Sequence, residues 1–531
     1  MINGMQEFLR LLKRRMNRIK NLSYTKNKKE AWDIVVVGGG ASGLGIALDA
    51  ASRGYETLLI EKYDFAKGTS SRSTKLVHGG VRYLQNGDIS LVLEALKERG
   101  IMRKNAPHLV QDLSFVIPSY DWWSSPFYGI GLKVYDMMAG RLGLGPSTIL
   151  DREETLQLIP NVNKEGLRGG VIYHDGQFDD ARMAISLGLT AEKEGATLLN
   201  YVALKQLIKE GGIINGLTAQ DELTGEEITI KSKVVINATG VFSDEIMQMD
   251  APESKPMIRP SQGVHLVLEK SFLKGQQAIM VPHTTDGRVL FAVPWNNYVV
   301  VGTTDTPVDE AKEEPIALDE EIEFILSNAS SYMTQKPTRK DVKSIFAGLR
   351  PLAASKNKES TKEVSRHHKI KVSTSGLVSV LGGKWTTYRK IAEDAVNTAA
   401  LAAGLNERKC NTVEIPINGY DLNSNWEDPL HVYGTDIEQI KAIDPEGNSS
   451  LSELFFISKN QIVWAIEKEM AITLEDILAR RTRALFLNAN EALKISQGVV
   501  KIMQKTMCQT DSWSAQQLKD FKETAKNYIL C

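Results

Sequence analysis

The stretch WDIVVVGGGASGLGIALDAASRGYETLLIEK, residues 32–62, is compatible with very few folds. Ile34 to Val37 is a short β-branched run of the kind that fills a parallel strand buried on both faces. A glycine turn follows, then a helical pattern with Ala47, Leu48 and Ala51 on one face, ended by Gly54. Thr57 to Ile60 reads as the next strand. In Gly38-x-Gly40-x-x-Gly43, Gly38 permits the tight turn and Gly40 lets a pyrophosphate approach the backbone. Gly43 lets the helix pack closely on the strand, and the free N–H groups of the helix N-terminus face the phosphates. Glu61 lies 18 residues past Gly43, where a ribose-binding carboxylate belongs. The strand–turn–helix–strand context makes this a dinucleotide site.

Further strand patterns fall at Val171–Tyr173, Val234–Asn237, His265–Leu268, Val289–Val293, Tyr298–Gly302 and Leu377–Leu381. Helical patterns lie between them, notably Ala181–Gly195 and Glu320–Met333. The mixture predicts an α/β fold: a Rossmann-like dinucleotide-binding domain with an inserted, mostly antiparallel-sheet substrate domain. The interleaved pair spans 31–400, with the substrate parts at 76–165 and 251–340. Ser355 to Lys362 is polar and reads as a loop. From Asn411 to the end the texture becomes helical and amphipathic, predicting a C-terminal α-helical cap domain over 411–531.

A formal net charge of −1 argues against a polyanionic partner such as nucleic acid. The three cysteines form no CxxC pair, and the adjacent His367 and His368 would point to opposite sides of a strand, so no metal site is expected. No run reaches the roughly 18 apolar residues of a membrane span. Residues 1–30 form a basic amphipathic extension, with Met5, Phe8, Leu9, Leu12, Met16 and Ile19 at helical spacing among arginines and lysines. Such a segment suits an anionic bilayer surface, a helix packed on its own domain, or an organelle presequence.

One dinucleotide fingerprint is present. Two other strand ends carry glycines: Ala238-Thr239-Gly240 after VVIN, and Gly382-Gly383-Lys384 after LVSVL. Glycines there admit a bulky ring system, which suits one extended FAD held from three chain segments. The basic cluster SSRSTKLVHGGVRYLQ, residues 70–85, gathers Arg72, Lys75, His78 and Arg82 around Gly79-Gly80.

With that cluster, the segments DGQFDDAR (175–182), QGVHLVL (262–268), GRVLFAVPW (287–295), GTTDTP (302–307), AGLRPL (347–352), VSRHHKI (364–370) and GGKWTTYRK (382–390) resemble the FAD-dependent, quinone-linked glycerol-3-phosphate dehydrogenases. Order and spacing agree from about 31 to 400, and LARRTRALF (478–486) extends the likeness into the cap. The resemblance implies oxidation of sn-glycerol 3-phosphate at C2 to dihydroxyacetone phosphate, hydride passing to FAD and electrons to a membrane quinone. It places Arg82, Tyr83, Arg366 and Lys384 on the phosphate and Arg350 near the reacting carbons. Arginine forks suit a phosphate dianion. His78 and His265 are both candidates for the base that takes the hydroxyl proton, and Arg350 for stabilising the developing alkoxide.

Ser70, Ser71, Ser73, Thr74 and Lys75 are expected to touch the flavin through hydroxyls and backbone, the alternative being a polar turn. ARRTR at 479–483 is read as a salt-bridged helix rather than a lipid-contacting face. Trp122, Trp123, Phe127 and Tyr128 are read as core packing in preference to a membrane or quinone surface. The expected site is peripheral, on the cytoplasmic face of a bacterial inner membrane, with the mitochondrial inner membrane as the alternative and a homodimer allowed. The mitochondrial branch adds calcium loops of the D-x-[DN]-x-[DN]-G type, which this sequence lacks. Two rival functions remain: an α-glycerophosphate oxidase that hands electrons to oxygen, and a non-catalytic flavin-binding protein. The oxidases carry a mid-chain insertion, and no surplus stretch is evident here.

Overall fold

The computed structural model describes residues 17–80, 88–121, 124–282, 284–353 and 368–530. Trp32–Val37 is the centre of the first sheet, paired in parallel with Glu227–Asn237 on one side and Thr57–Ile60 on the other. Thr197–Leu199 extends the sheet beyond Thr57–Ile60; Val378–Leu381 and Lys369–Val372 extend it past Glu227–Asn237. Ile34 to Val36 and Leu58 to Ile60 are wholly buried, as their unbroken apolar run requires. The helices Ala41–Ser52, Asp180–Lys193 and Tyr388–Ala402 cover one face. The antiparallel pair Val202–Glu210 and Ile213–Asp221 contributes to the other.

The second sheet has the order Thr306–Pro307, Ile258–Glu269, Tyr298–Gly302, Leu290–Trp295, Ala278–Val281, Val110–Ser119, Gly169–Phe178, Leu76–Val77. Ser344–Ala353 also pairs along Ile258–Glu269. All but one of its pairings are antiparallel, the exception being Ala278–Val281 on Val110–Ser119. The inserted sheet thus draws on 76–178 and 258–353, running past the expected bounds because Gly169–Phe178 and Ser344–Ala353 pair with its central strands. The helix Asp319–Tyr332 packs on one face, and Ile89–Asn105 with Ser124–Ala139 on the other. Tyr128 is buried in that second layer. Trp122, Trp123, the Phe127 side chain and the polar stretch 355–362 lie outside the described residues.

The cap is helical, built on Lys459–Lys468, Ala484–Leu487, Ala489–Met507 and Asp511–Lys526. It docks on Val267, Trp295, Tyr298, Val300 and Phe346 of the second sheet. Its ARRTR segment is salt-bridged as expected, but buried. Arg480 and Arg481 both reach Asp64, at 2.5 and 2.7 Å. Arg483 reaches Asp180 at 3.1 Å, on the carboxylate that Lys75 contacts at 2.7 Å. Periodicity shows a charged helix; it does not show that carboxylates of another domain wait opposite it.

Residues 1–16 of the basic extension lie outside the described residues. Its end, Arg18–Asn27, is a helix capped by Asn17 and packed on the first domain. Arg18 pairs with Asp221 at 2.6 Å, Asn21 donates to the Leu198 carbonyl, and Tyr24 meets the edge of Trp32.

A Cβ at Gly43 would sit 1.8 Å from the Gly38 carbonyl oxygen. Both atoms are backbone-fixed, so relief requires the helix to move off the strand. Gly43→Ala should therefore cost about 1–3 kcal/mol in stability and lower bound flavin, read by denaturant titration and by the flavin-to-protein absorbance ratio.

Candidate active site

Two cavities meet between the sheets. The larger, about 1060 Å³, is at the upper end of the range for ligand sites. Gly38, Gly40, Glu61, Ser70, Ala238, Thr239, Gly240, Gly382, Gly383 and Lys384 lie on its wall. The helix Ala41–Ser52 starts at Gly40, which has no side chain to cap it, and its first residues, Ala41 and Ser42, lie on this wall. Ser70 Oγ accepts from Ala41 N at 2.9 Å, tying the basic cluster to the glycine turn. Glu61 stands at the end of the second strand, accepting from Gly39 N and Tyr63 N. Burial pushes its pKa up against those two hydrogen bonds. A phosphate cradle, a ribose-height carboxylate and two glycine strand ends on one wall fit FAD.

The smaller cavity, about 300 Å³, shares Thr69, Pro351 and Gly382 to Trp385 with the larger one. Ser73, Thr74, His78, His265, Arg350 and Lys384 lie on its wall. Ser71 and Lys75 lie on neither wall. The Lys75 ammonium is buried beneath, bonded to the Ser71 carbonyl and Asp180. Burial, with Arg483 close by, lowers its pKa to about 7. Arg82, Tyr83 and Arg366 lie outside the described residues.

His265 is buried, stacked on Phe346 at 4.9 Å, with Nε2 2.9 Å from Thr74 Oγ1. Its Nδ1 has no hydrogen-bond partner among the described residues. Burial, then the charges of Lys75 and Arg350, hold its pKa well below the usual imidazole value, so the ring is neutral. Arg350 is fixed by Thr303 Oγ1 at 3.0 Å, Asp305 at 3.3 Å and the Gln262 carbonyl. A Cβ at Gly263 would lie 2.4 Å from the Arg350 fork, so the glycine of QGVHLVL keeps that arginine in place.

Several positioning residues escaped the sequence reading. Tyr135 OH accepts from Gly79 N at 2.9 Å and donates to Asp175 at 2.8 Å; Arg99 holds the same carboxylate at 2.7 Å. This buried triad fixes the backbone beside His78. Asp180 accepts from the Ser73 amide and hydroxyl as well as from Lys75. Trp385 Nε1 donates to the Ser70 carbonyl. Asp175, Asp180, Thr303 and Asp305 sit inside quoted motifs, so the motifs marked them, but only the fold supplies their partners.

The buried FAD cradle, with a neutral histidine and a held arginine on the adjoining wall, defines an FAD-dependent oxidoreductase. The profile of that description, FAD dependent oxidoreductase, matches residues 33–389, and the C-terminal domain of alpha-glycerophosphate oxidase matches 378–517. Glycerol-3-phosphate dehydrogenase, mitochondrial, from Rattus norvegicus is 38% identical over 95% of this chain and 74% of its own. The probable glycerol-3-phosphate dehydrogenase, mitochondrial, from Dictyostelium discoideum is 36% identical over 96% and 86%. The crystal structure of the glycerol-3-phosphate dehydrogenase from Bacillus halodurans complexed with FAD superposes with a TM-score of 0.78, at 30% identity over 97% of this chain and 98% of that one. The chain belongs to the FAD-dependent glycerol-3-phosphate dehydrogenases. The L-alpha-glycerophosphate oxidase from Mycoplasma pneumoniae shares the fold, with a TM-score of 0.56 at 18% identity over 72% of this chain and 97% of that one.

His265 makes stability pH-dependent. Its folded pKa lies below the unfolded value of about 6.5, so as pH falls through that value the unfolded chain takes up a proton the folded ring refuses. Its contribution is intact above pH 6.5 and declines below it. His108, lowered by burial to about 4, adds to the same acid loss. His265→Gln should therefore show a shallower fall in melting temperature from pH 7 to 5 than the unaltered protein.

Proposed function

We propose that the chain oxidises sn-glycerol 3-phosphate at C2 to dihydroxyacetone phosphate and passes the electrons to a membrane quinone. The observation that carries this reading is the junction of the two cavities at Gly382–Trp385, which sets a cation-lined chamber against the flavin cradle. Bound FAD supplies the two-electron acceptor for hydride leaving C2. The chain supplies the rest. Lys384, with Arg82, Tyr83 and Arg366, holds the phosphate. Arg350, pre-oriented by Thr303 and Asp305, stabilises the alkoxide that develops at C2. His265 receives the hydroxyl proton, and neutrality leaves it able to do so. A dianionic substrate beside it offsets the field of Lys75 and Arg350, raising its basicity when the site is filled. His78, on the same wall, orients the hydroxyl. His265→Gln should lose far more in kcat than His78→Gln, and comparable losses would reassign the base.

A membrane surface as partner is supported by Ile130, Val134 and Met137, one face of the helix Ser124–Ala139, all more than 40% exposed. Among the described residues no helix is long and apolar enough to cross a membrane. The surface in question is the cytoplasmic face of a bacterial inner membrane or, as the mitochondrial relatives allow, the mitochondrial inner membrane.

Anaerobic glycerol 3-phosphate should bleach the flavin absorbance, and a short-chain quinone should restore it. An unbleached flavin would leave only a flavin-binding protein. Stoichiometric hydrogen peroxide in air would make the chain an oxidase, the activity named by its C-terminal relative. Arg366→Ala should raise KM by about tenfold or more with FAD retained, since it removes a charge-assisted contact to phosphate.

A further inference from the structure

Residues 308–318 join the strand Thr306–Pro307 to the helix Asp319–Tyr332 without regular secondary structure. Both ends are tied to the second sheet. Val308 N donates to the Pro260 carbonyl at 3.1 Å, and Gln262 Nε2 donates to the Ile316 carbonyl at 2.9 Å. Between those ties, Ala311 to Glu314 lie on the wall of the larger cavity, the flavin cradle. Apart from Pro351, the rest of that wall comes from the first domain. The segment thus adds a side to the cradle from outside the domain that builds it.

Two adjacent acids tie its middle down, and they differ. Glu313 pairs with Lys62 at 2.8 Å, with both side chains close to half exposed. Such a pair holds a loop weakly. Glu314 uses each oxygen on a different partner. Its Oε2 accepts from Arg72 of the basic cluster at 2.7 Å, and its Oε1 accepts from Tyr528 OH of the cap at 2.8 Å. Lys67 Nζ stands 3.8 Å from the same Oε2. Arg72 and Tyr528 are both buried and both anchored elsewhere. Arg72 also donates to the Ala347 carbonyl. The Tyr528 carbonyl accepts from Ile345 N at 3.0 Å, and its ring meets Phe486 edge-on at 5.3 Å. Hydrogen bonds from anchored, buried donors to an ionised carboxylate are strong ones. A segment with no ladder of backbone bonds opens when such side-chain ties break.

We propose that residues 308–318 are a strap that retains FAD, and that Glu314 is the positioning residue that latches it, with Tyr528 as the cap's hold on the latch. Release at Glu314 opens the cradle and lets the cofactor exchange. The cap then has a second task besides covering the second sheet: it governs how long the flavin stays. This role goes beyond the catalytic reading and is the same for any substrate and any acceptor. No covalent step is involved.

The test follows FAD exchange on the loaded full chain. Excess isotope-labelled FAD is added, and label retained on the protein is measured against time. Tyr528→Phe removes one hydroxyl and leaves the Arg72 pair in place; it should speed exchange by about threefold or more. Glu314→Gln removes the charge that both donors use and should speed it by about tenfold or more. Adding Tyr528→Phe to Glu314→Gln should change the rate by no more than about twofold, because the hydroxyl acts through that carboxylate. Exchange within about twofold of the unaltered protein in both single variants overturns the proposal, even if the FAD-free protein unfolds at lower denaturant, since a merely structural contact would do that alone. So does a double variant whose acceleration is the product of the two single ones, which would place the action of Tyr528 elsewhere. Should Glu314→Gln hold too little FAD to measure, Tyr528→Phe decides by the same twofold limit.

Discussion

Asp180 joins three parts of the chain at one buried carboxylate. It accepts from Ser73 and Lys75 of the basic cluster and from Arg483 of the cap. Burial pushes its pKa up, but the Lys75 and Arg483 cations outweigh that and hold it ionised. Both of those partners adopt the left-handed backbone region, Lys75 at φ 65° and Arg483 at φ 63°. Each such conformation costs on the order of 1–3 kcal/mol and persists where the surroundings over-determine it. A buried charge cluster is not a stabiliser in itself, but removing one member strands the others, which costs about 3–5 kcal/mol. What this node supplies is a fixed position for the loop between the flavin cradle and the substrate chamber.

The same logic recurs one layer out. Asp64, just past Glu61, carries Arg480 and Arg481, so the cap is pinned to the first domain behind the flavin cradle as well as to the second sheet. Asp175 carries Arg99 and Tyr135, and through Tyr135 holds the Gly79 amide. Asp180 and Asp175 thus set backbone beside the chamber, while Asp64 seats the cap.

Much was legible in advance. The expected strands at Tyr298–Gly302 and Leu377–Leu381 correspond to Tyr298–Gly302 and Val378–Leu381, and the expected helix Glu320–Met333 to Asp319–Tyr332. β-branched runs and 3.6-residue periodicity suffice there because burial on fixed faces dictates them. Ser71 and Lys75 were less legible. Serine and lysine in a loop beside a cofactor read as ligands, yet both lie beneath the wall, because Asp180 offers Lys75 a buried counter-charge. Nothing local to SSRSTK announces an aspartate 105 residues away.

By itself the sequence determined the dinucleotide turn, the alternation of strand and helix, the helical cap and the family, since each is written in residues near one another or in motifs whose order is fixed. Only the tertiary structure decided which charges meet. It sent Arg480, Arg481 and Arg483 inward rather than to solvent, and it neutralised His265 by burial near Lys75 and Arg350. Those outcomes depend on burial and on partners tens to hundreds of residues distant, and a local pattern carries neither.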